Sequence, residues 1–256
     1  MKKLYRTWRR KRRGMSDTLW SIAVRGCRYA GALPEDDLHR LRKLTEDFIK
    51  IKSFEGAAGL DVNDNMRLRI ALHACLPILG LGLESYADWV SIVIYPGDFR
   101  VQDEYMDEHG IVHREIADLC GQSLTQGPIV LSWDTIMKED DSPSDHDLVI
   151  HECAHKLDIS NGAANGYPPL PADMRVSDWA RDFHAAYERL CNDLDAGRDT
   201  RLDPYAADDP SEFFAVISES FFTTPKLVYE DFPAVYTQLT HYYRQDTLRV
   251  MQGMKS

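Results

Sequence analysis

The stretch VIHECAHKLD at residues 149–158 contains an HExxH motif, formed by His151, Glu152 and His155. Histidines four positions apart share one face of a helix, about one turn apart, so both imidazoles can reach one metal ion. The glutamate after the first histidine then faces a water molecule on that metal and can take its proton. The motif therefore predicts a metal-binding helix with Glu152 as a general base.

The residues around the motif favour a helix that is partly buried. Apolar residues flank the motif on both sides, and Ser144 precedes Asp147 by three residues in a capping-box pattern. We predict a helix from about Ser144 to Asp158, ended by the helix-breaking sequence SNG at residues 160–162. The alternative is an ordinary helix with two incidental surface histidines.

A catalytic zinc site needs a third protein ligand and leaves one position for water. The best candidate is Glu212, in a predicted helix that Asp209 caps and Pro210 begins. Glu212 is alternatively a capping-box glutamate folded back on Asp209. Glu219 is a rival ligand on the same helix face. Asp158 is a weaker rival because it lies two turns beyond His151, about 10 Å along the axis.

Tyr205 lies seven residues before Glu212, in the loop between Gly197 and Asp209. A phenol at that place can donate a hydrogen bond to the oxyanion that forms when water adds to a scissile carbonyl. The alternative is an exposed loop aromatic without a role in chemistry. The spacing alone does not separate these two interpretations.

The spans VIHECAHKLD, NGYPPLP and DPSEFFAVISESFF resemble the Mlc titration factor A family of bacterial cytosolic zinc metallopeptidases. The core is also similar to the catalytic domain of anthrax lethal factor, a gluzincin with a tyrosine seven residues before its ligand glutamate. The resemblance covers roughly residues 15–250 and is clearest over residues 85–245.

The resemblance implies a role for each residue of the candidate site. It implies one Zn²⁺ per chain, with His151, His155 and Glu212 as ligands, Glu152 as general base and Tyr205 as stabiliser of the transition state. It also implies aminopeptidase-like activity and, in enterobacterial members, binding to the glucose repressor Mlc. The chain departs from thermolysin-like enzymes at Val216, where those enzymes place an acid. The resemblance therefore assigns no outer partner to His151, that is, no hydrogen-bond partner for the ring nitrogen that faces away from the metal.

Composition indicates a cytoplasmic protein with an acidic body. The chain has 256 residues and five cysteines without a CxxC pair, which favours reduced thiols over disulfides or a thiolate metal site. It carries 30 basic and 41 acidic residues, and eight of the basic residues lie within residues 1–13. An acidic body argues against direct nucleic-acid binding. No run of apolar residues is long enough to span a membrane.

The order of predicted elements favours an α+β fold of the zincin-like class, with helices around a small mixed sheet and an active-site helix that carries HExxH. Strands are predicted at residues 89–95, 111–116 and 129–133, and the last of these is placed to hold substrate backbone as an edge strand or to complete the sheet. Further helices are predicted from Ser177 to Gly197 and from about Asp231 to Thr247. We expect a flexible basic tail over residues 1–14 and one metallopeptidase domain over residues 15–256, with residues 15–84 as a helical part packed on it.

Two functions fit these observations. The first is a zinc-dependent peptidase, an aminopeptidase-like hydrolase whose partner is a peptide substrate. The second is a non-catalytic protein that binds and titrates a transcriptional repressor, with a structural or vestigial metal site. A repressor partner rests on the family resemblance alone. A monomer is the simplest expectation for the oligomeric state.

Overall fold

The computed structural model describes residues 15–97, 99–106, 112–119, 121–123, 127–141 and 146–253. For the strand residues 99–106, 112–119 and 121–123, and for residues 140–141, it describes the backbone alone. The basic tail predicted over residues 1–14, Cys120 and the predicted cap Ser144 lie outside the described residues.

The described residues begin with helices and continue into strands. In chain order these elements are α1 (Asp17–Gly26), α2 (Arg28–Ala32), α3 (Glu35–Ile51), β1 (Ser53–Gly56), α4 (Asp64–Cys75), β2 (Ser91–Tyr95), β3 (Phe99–Met106), β4 (Val112–Leu119), β5 (Gly121–Ser123) and β6 (Ile129–Ser132). Helix α3 is amphipathic, with Leu41 and Phe48 buried. Three acidic residues in its first turn stabilise it, because they lie at the positive end of the helix dipole.

The strands form a four-stranded mixed sheet with the order β1-β2-β6-β5, and β3 and β4 form a separate antiparallel hairpin. Strands β1, β2 and β6 run parallel, with Ile92 opposite Ile129 and Ile94 opposite Leu131. These four isoleucine and leucine side chains are fully or almost fully buried, so this part of the sheet is held by core packing.

The expectation that residues 129–133 form an edge strand is wrong. Strand β6 pairs on one side with β2 in parallel and on the other side with β5 in antiparallel orientation. The short β5 therefore lies at that edge of the sheet. Of the two roles considered for β6, completing the sheet is the one that the pairing supports.

Helices make up the rest of the described chain: α5 (Trp133–Asp141), α6 (Leu148–Asp158), α7 (Val176–Asp195), α8 (Pro210–Thr223), α9 (Pro225–Asp231), α10 (Pro233–Tyr243) and α11 (Thr247–Met251). Short 3₁₀ turns cover Leu83–Tyr86, Ile159–Asn161 and Pro204–Ala207. The α+β class predicted from the sequence is confirmed by this arrangement.

Helix α6, which carries HExxH, begins later than predicted. Its first residue is Leu148, and Asp147 is its N-cap, with a side chain that accepts a hydrogen bond from the Ile150 N–H at 3.0 Å. The Leu148 N–H donates to the carboxyl group of Glu139. Two of the donors left free at this helix end are thus satisfied by acidic side chains, and the start predicted at Ser144 is wrong.

Two other predicted helix boundaries also differ from the structure. Helix α7 begins at Val176, with Arg175 at the N-cap position and no side-chain cap hydrogen bond there, so Ser177 lies inside the helix rather than at its cap. The helix predicted over residues 231–247 is shorter in the structure: α10 spans Pro233–Tyr243 and ends at Arg244, which has the left-handed conformation with φ 54°, and a separate helix, α11, begins at Thr247.

Helices α6 and α8 pack against each other inside one continuous hydrophobic core. Within α8, ten of the twelve residues from Ser211 to Phe222 are apolar or small and buried, and Glu219 is buried among them. Helix α4 packs on α1, α3 and α6, so the N-terminal helices share the core of the motif helix. A metal site between α6 and α8 would therefore lie on rigid elements. No helix among the described residues is both long and apolar enough to cross a membrane.

Candidate metal centre

Three side chains converge between α6 and α8. The Nε2 atoms of His151 and His155 lie 3.2 Å apart, and the Oε2 atom of Glu212 lies 3.3 Å from each of them. Histidine, cysteine, aspartate and glutamate are the side chains that most often bind metals. Among those in the described part of the chain, only these three residues have ligand atoms close enough together to hold one metal ion. The structure thus brings together the three residues that the sequence favoured as candidate ligands.

The local structure explains how Glu212 reaches the two histidines. The Asp209 side chain caps α8 by accepting the N–H groups of Ser211 and Glu212, at 2.7 and 3.0 Å. Pro210 occupies the first turn, where its missing N–H costs no hydrogen bond. The Glu212 carboxylate faces the Nε2 atoms instead of folding back on Asp209, so the geometry does not support the capping-box alternative.

Glu152 lies on the same helix as the two histidines and is buried. Its Oε2 atom has no hydrogen-bond partner among the described residues. Burial raises the pKa of its carboxyl group, and the charges of His151 and His155 oppose that rise. A carboxyl group in this setting is a stronger base than a solvated one, which suits a group that must take a proton from water.

Glu219 holds His151 from the opposite side of the imidazole. Its Oε2 atom lies 3.3 Å from His151 Nδ1, while its Oε1 atom accepts the Asp147 N–H at 2.6 Å and lies 3.2 Å from His146 Nδ1. Burial opposes ionisation of Glu219, but the hydrogen bonds from His146 and His151 outweigh it and lower the pKa. An ionised Glu219 accepts from His151 Nδ1–H, so the Nε2 atom of His151 presents its lone pair to the site.

His155 has a hydroxyl partner instead of a carboxylate. Its Nδ1 atom lies 3.1 Å from Ser211 Oγ, and Ser211 Oγ in turn lies 3.0 Å from Oδ2 of Asp158. Asp158 is fully buried. The rival ligand Asp158 is therefore placed on the Nδ1 side of His155, away from the group of three.

Tyr205 lies in the 3₁₀ turn Pro204–Ala207, whose cap Asp203 accepts the Tyr205 N–H at 2.9 Å. The phenol ring lies over the His151 imidazole, with ring centroids 6.2 Å apart and planes at 30°. Partial burial and the neighbouring Glu212 raise the pKa of Tyr205, so its hydroxyl keeps its proton and can donate it in a hydrogen bond. The residue is 45% exposed, so it can be reached from solvent.

The chemistry of the three converging atoms fits a metal cation. Glu212 Oε2 is buried and has no hydrogen-bond donor among the described residues, although it lies near two imidazole nitrogens. With Nδ1–H of His151 directed at Glu219, the nearby Nε2 atom is an acceptor like the carboxylate oxygen. Two buried acceptors in contact need a positive charge between them.

The electrostatics of the site also favour a positive charge there. Burial opposes protonation of His151, but the adjacent carboxyl groups of Glu212 and Glu219 outweigh it and raise the pKa to about 10. Burial likewise opposes ionisation of Glu212, yet the two histidines hold its pKa well below the usual range. A proton or a metal ion can satisfy this preference, and two histidines with one carboxylate form a ligand set typical of catalytic zinc.

Sequence reasoning missed two contributors to this site, Ser211 and His146. Ser211 is adjacent to Glu212, but nothing in the local pattern shows that its hydroxyl meets His155, which is 56 residues away in the chain. His146 contacts Glu219 across 73 residues. The thermolysin-like pattern has an acid at the position of Val216, whereas in this chain the carboxyl group beside His151 Nδ1 comes from Glu219, three residues further along α8.

Comparisons with known proteins agree with the geometry. The model of the family described as "Glucose-regulated metallo-peptidase M90" matches residues 2–244. The chain is 40% identical over 227 residues to "Mlc titration factor A" of Serratia proteamaculans, covering 88% of this chain and 86% of that protein. The protein of the same name from Salmonella arizonae is 42% identical over 234 residues, covering 90% of this chain and 92% of the relative.

Proposed function

The chain belongs to the glucose-regulated metallo-peptidase M90 family, and we propose on that basis that it is a zinc-dependent peptidase of aminopeptidase-like type. The observation that carries the proposal is the convergence of His151 Nε2, His155 Nε2 and Glu212 Oε2, which lie 3.2–3.3 Å from one another. These three residues would hold one zinc ion per chain. When bound, zinc would supply Lewis acidity, which polarises a carbonyl and makes water more acidic.

The protein residues supply the proton transfers and the stabilisation of charge. Glu152 accepts a proton from the attacking water and passes it to the leaving amine, because it is buried beside the two histidines and its raised pKa suits a base. Tyr205 donates a hydrogen bond to the carbonyl oxygen as that oxygen gains negative charge. Glu219 keeps the His151 imidazole oriented with Nε2 toward the site.

The test is cleavage of a defined peptide library by the full chain loaded with zinc, read by mass spectrometry. We expect loss of single residues from free N-termini, abolished when EDTA removes the metal. Glu46→Gln is a matched control, because Glu46 is a partly buried glutamate on α3 whose carboxyl group pairs with Arg42, and it belongs neither to the group of three nor to the contacts at the start of α6. Internal cleavage would refute the aminopeptidase assignment. No cleavage by protein that holds one zinc would favour a non-catalytic protein with a structural metal.

We also propose that the chain binds a transcriptional repressor of the Mlc type, because its relatives carry the name titration factor. Binding and hydrolysis are compatible in one protein. The measurement is the affinity of the Glu152→Gln chain for a purified Mlc-type repressor, since this variant separates binding from cleavage. A dissociation constant no tighter than that for an unrelated DNA-binding protein would refute this part of the proposal.

We further propose that residues 15–256 form one metallopeptidase domain and that the protein acts as a monomer in the cytoplasm. Cys27, Cys75, Cys153 and Cys191 are free thiols in the structure, which supports a reducing compartment.

A further inference from the structure

The Nδ1 side of His155 leads into a chain of hydrogen bonds that ends in a loop. Ser211 Oγ lies 3.1 Å from His155 Nδ1 and 3.0 Å from Asp158 Oδ2. The same Asp158 oxygen accepts the N–H groups of Asn165 and Gly166, both at 2.8 Å. Ser211 and Asp158 are 5% and 0% exposed, so water does not compete for these contacts.

The direction of each hydrogen bond in the series from Asp158 through Ser211 to His155 follows from which groups can donate a proton. Three donors surround Asp158 Oδ2, namely two backbone N–H groups and the Ser211 hydroxyl, so this oxygen acts as an acceptor. A serine hydroxyl has one proton, and donating it to Asp158 leaves Ser211 Oγ to accept from His155. His155 therefore carries its proton on Nδ1, and its Nε2 atom presents a lone pair to the candidate metal centre.

The turn at Asn165 and Gly166, where this series of hydrogen bonds ends, is packed between Pro210 and Trp179. Gly166 has a φ of 76°, and a Cβ atom at this position would meet the Pro210 carbonyl oxygen at 2.5 Å. The Gly166 carbonyl accepts a hydrogen bond from Trp179 Nε1 at 3.0 Å, and the Trp179 side chain is fully buried. The peptide around Gly166 is thereby fixed between α7 and the residue before Ser211.

We propose that Ser211 and Asp158 are positioning residues that fix the tautomer of His155 and link the candidate metal centre to the turn at Asn165 and Gly166. Metal binding and the hydrogen bonds of this turn then stabilise each other, since linkage between two sites is reciprocal. The inference rests on the proposed metal site, but it does not require that the protein cleaves peptides.

The first experiment measures zinc affinity of the full-length protein by competition with a chromophoric chelator. Ser211→Ala should weaken zinc binding by about 10- to 100-fold, the range typical for loss of an outer partner of a ligand histidine. Ser218→Ala is the matched control, because Ser218 is a buried serine on the same helix whose hydroxyl accepts a hydrogen bond from Tyr243 and contacts no histidine among the described side chains. Its zinc affinity should stay within threefold of wild type.

Two variants of Asp158 separate the acceptor oxygen from the charge. Asp158→Asn can keep an oxygen at the Oδ2 position and place its amide nitrogen at Oδ1, which has no hydrogen-bond partner among the described residues. Asp158→Ala removes the acceptor. We therefore expect Asp158→Ala to weaken zinc binding about as much as Ser211→Ala does, and Asp158→Asn to weaken it less.

The second experiment measures amide hydrogen exchange at Asn165 and Gly166 with and without zinc, which activity assays cannot report. Zinc should slow exchange of both amides by about tenfold or more in wild type and in Ser218→Ala, and have little effect in Ser211→Ala. Equal zinc affinities for Ser211→Ala and wild type, or equal slowing of exchange in both, would overturn the inference. Failure of wild type to bind zinc would overturn both this inference and the proposed function, whereas zinc binding without cleavage would overturn the proposed peptidase alone.

Discussion

At the scale of single residues, some features of the candidate site follow from local sequence patterns, whereas others depend on contacts between residues far apart in the chain. The i,i+4 spacing of His151 and His155 is a property of one helix, and the cap at Asp209 with Pro210 is a property of one turn. Both were readable from the sequence. The contacts of Glu219 and Ser211 with these histidines span 68 and 56 residues, so they depend on how α6 docks on α8 and have no local pattern.

Replacing Glu152 tests the proposed base. Glu152→Gln keeps the size of the side chain, but an amide cannot accept the water's proton at neutral pH, so we expect hydrolysis to fall by at least about 10²-fold. Zinc content should remain at one per chain, measured by elemental analysis together with the turnover rate. Activity within threefold of wild type would show that Glu152 is not the base, and Glu46→Gln supplies the comparison for a partly buried glutamate on α3.

The two glutamates of α8 should differ in what their loss does to the metal. Glu212→Gln replaces a carboxylate that faces both Nε2 atoms, so zinc affinity should fall by more than about 100-fold. Glu219→Gln replaces a group on the far side of His151 and should cost about 10- to 100-fold. Chelator competition on both variants gives the order directly. If Glu219→Gln loses zinc more severely than Glu212→Gln, the assignment of the third ligand is wrong.

The hydroxyl of Tyr205 should affect the rate and leave metal binding unchanged. Tyr205→Phe removes one hydrogen-bond donor to the oxyanion, for which we expect a fall in kcat of roughly 10²-fold with unchanged zinc affinity. Tyr229→Phe is a suitable control because Tyr229 is also about half exposed, on α9. Equal kcat values for Tyr205→Phe and Tyr229→Phe would assign Tyr205 to an ordinary surface role.

At the scale of elements, the sequence predicted whether a segment is a helix or a strand better than it predicted where the element ends and which elements lie beside it. The apolar run at residues 129–132 forms a strand, but its place inside the sheet depends on β5, which has only three residues. A strand that short carries too weak a pattern to be recognised. The left-handed Arg244 that ends α10 was missed for a similar reason, since arginine is not a residue that favours this conformation.

The junction of α3 with β1 contains a buried lysine whose titration should affect stability. Lys52 Nζ donates to the carbonyl groups of Tyr86 and Trp89 and lies 3.7 Å from the centre of the Trp89 ring. Burial lowers its pKa from 10.5 to about 8. Between these two values the unfolded chain binds more protons than the folded chain, so this residue makes folding more favourable as the pH rises from 8 to 10.5.

Comparison with Lys52→Met isolates that contribution from other titrating groups. The free energy of unfolding of wild type, minus that of Lys52→Met, should increase between pH 7.5 and pH 9.5, as measured by urea denaturation in the presence of zinc. A difference that stays constant or decreases over this interval would show that the pKa of Lys52 is not lowered in the folded protein.

At the scale of the whole molecule, the candidate site is built into the hydrophobic core instead of being carried on a surface loop. The residues of the candidate metal centre come from α6 and α8. Glu219, which contacts His151, also accepts the Asp147 N–H, and the Asp147 carboxyl group lies 2.5 Å from Nδ1 of His73 on α4. The sequence indicated one metallopeptidase fold but could not show that the N-terminal helices contribute to this network. That contribution depends on contacts across 74 residues.

A metal held between two core helices should stabilise the entire fold. A ligand that binds only the folded state adds RT ln(1 + [L]/Kd) to the free energy of unfolding, which is about 4 kcal/mol when free zinc is 1,000 times the dissociation constant. We therefore expect removal of zinc by EDTA to lower the Tm of wild type by several degrees, and re-addition of zinc to restore it. His155→Ala lacks one of the three proposed ligands, so its Tm should respond to neither treatment. Differential scanning calorimetry of both proteins, at matched protein and free-metal concentrations, measures the two responses. An equal zinc-dependent shift in His155→Ala would place the metal elsewhere, and the roles assigned to Glu212, Glu219 and Ser211 around it would have to be abandoned.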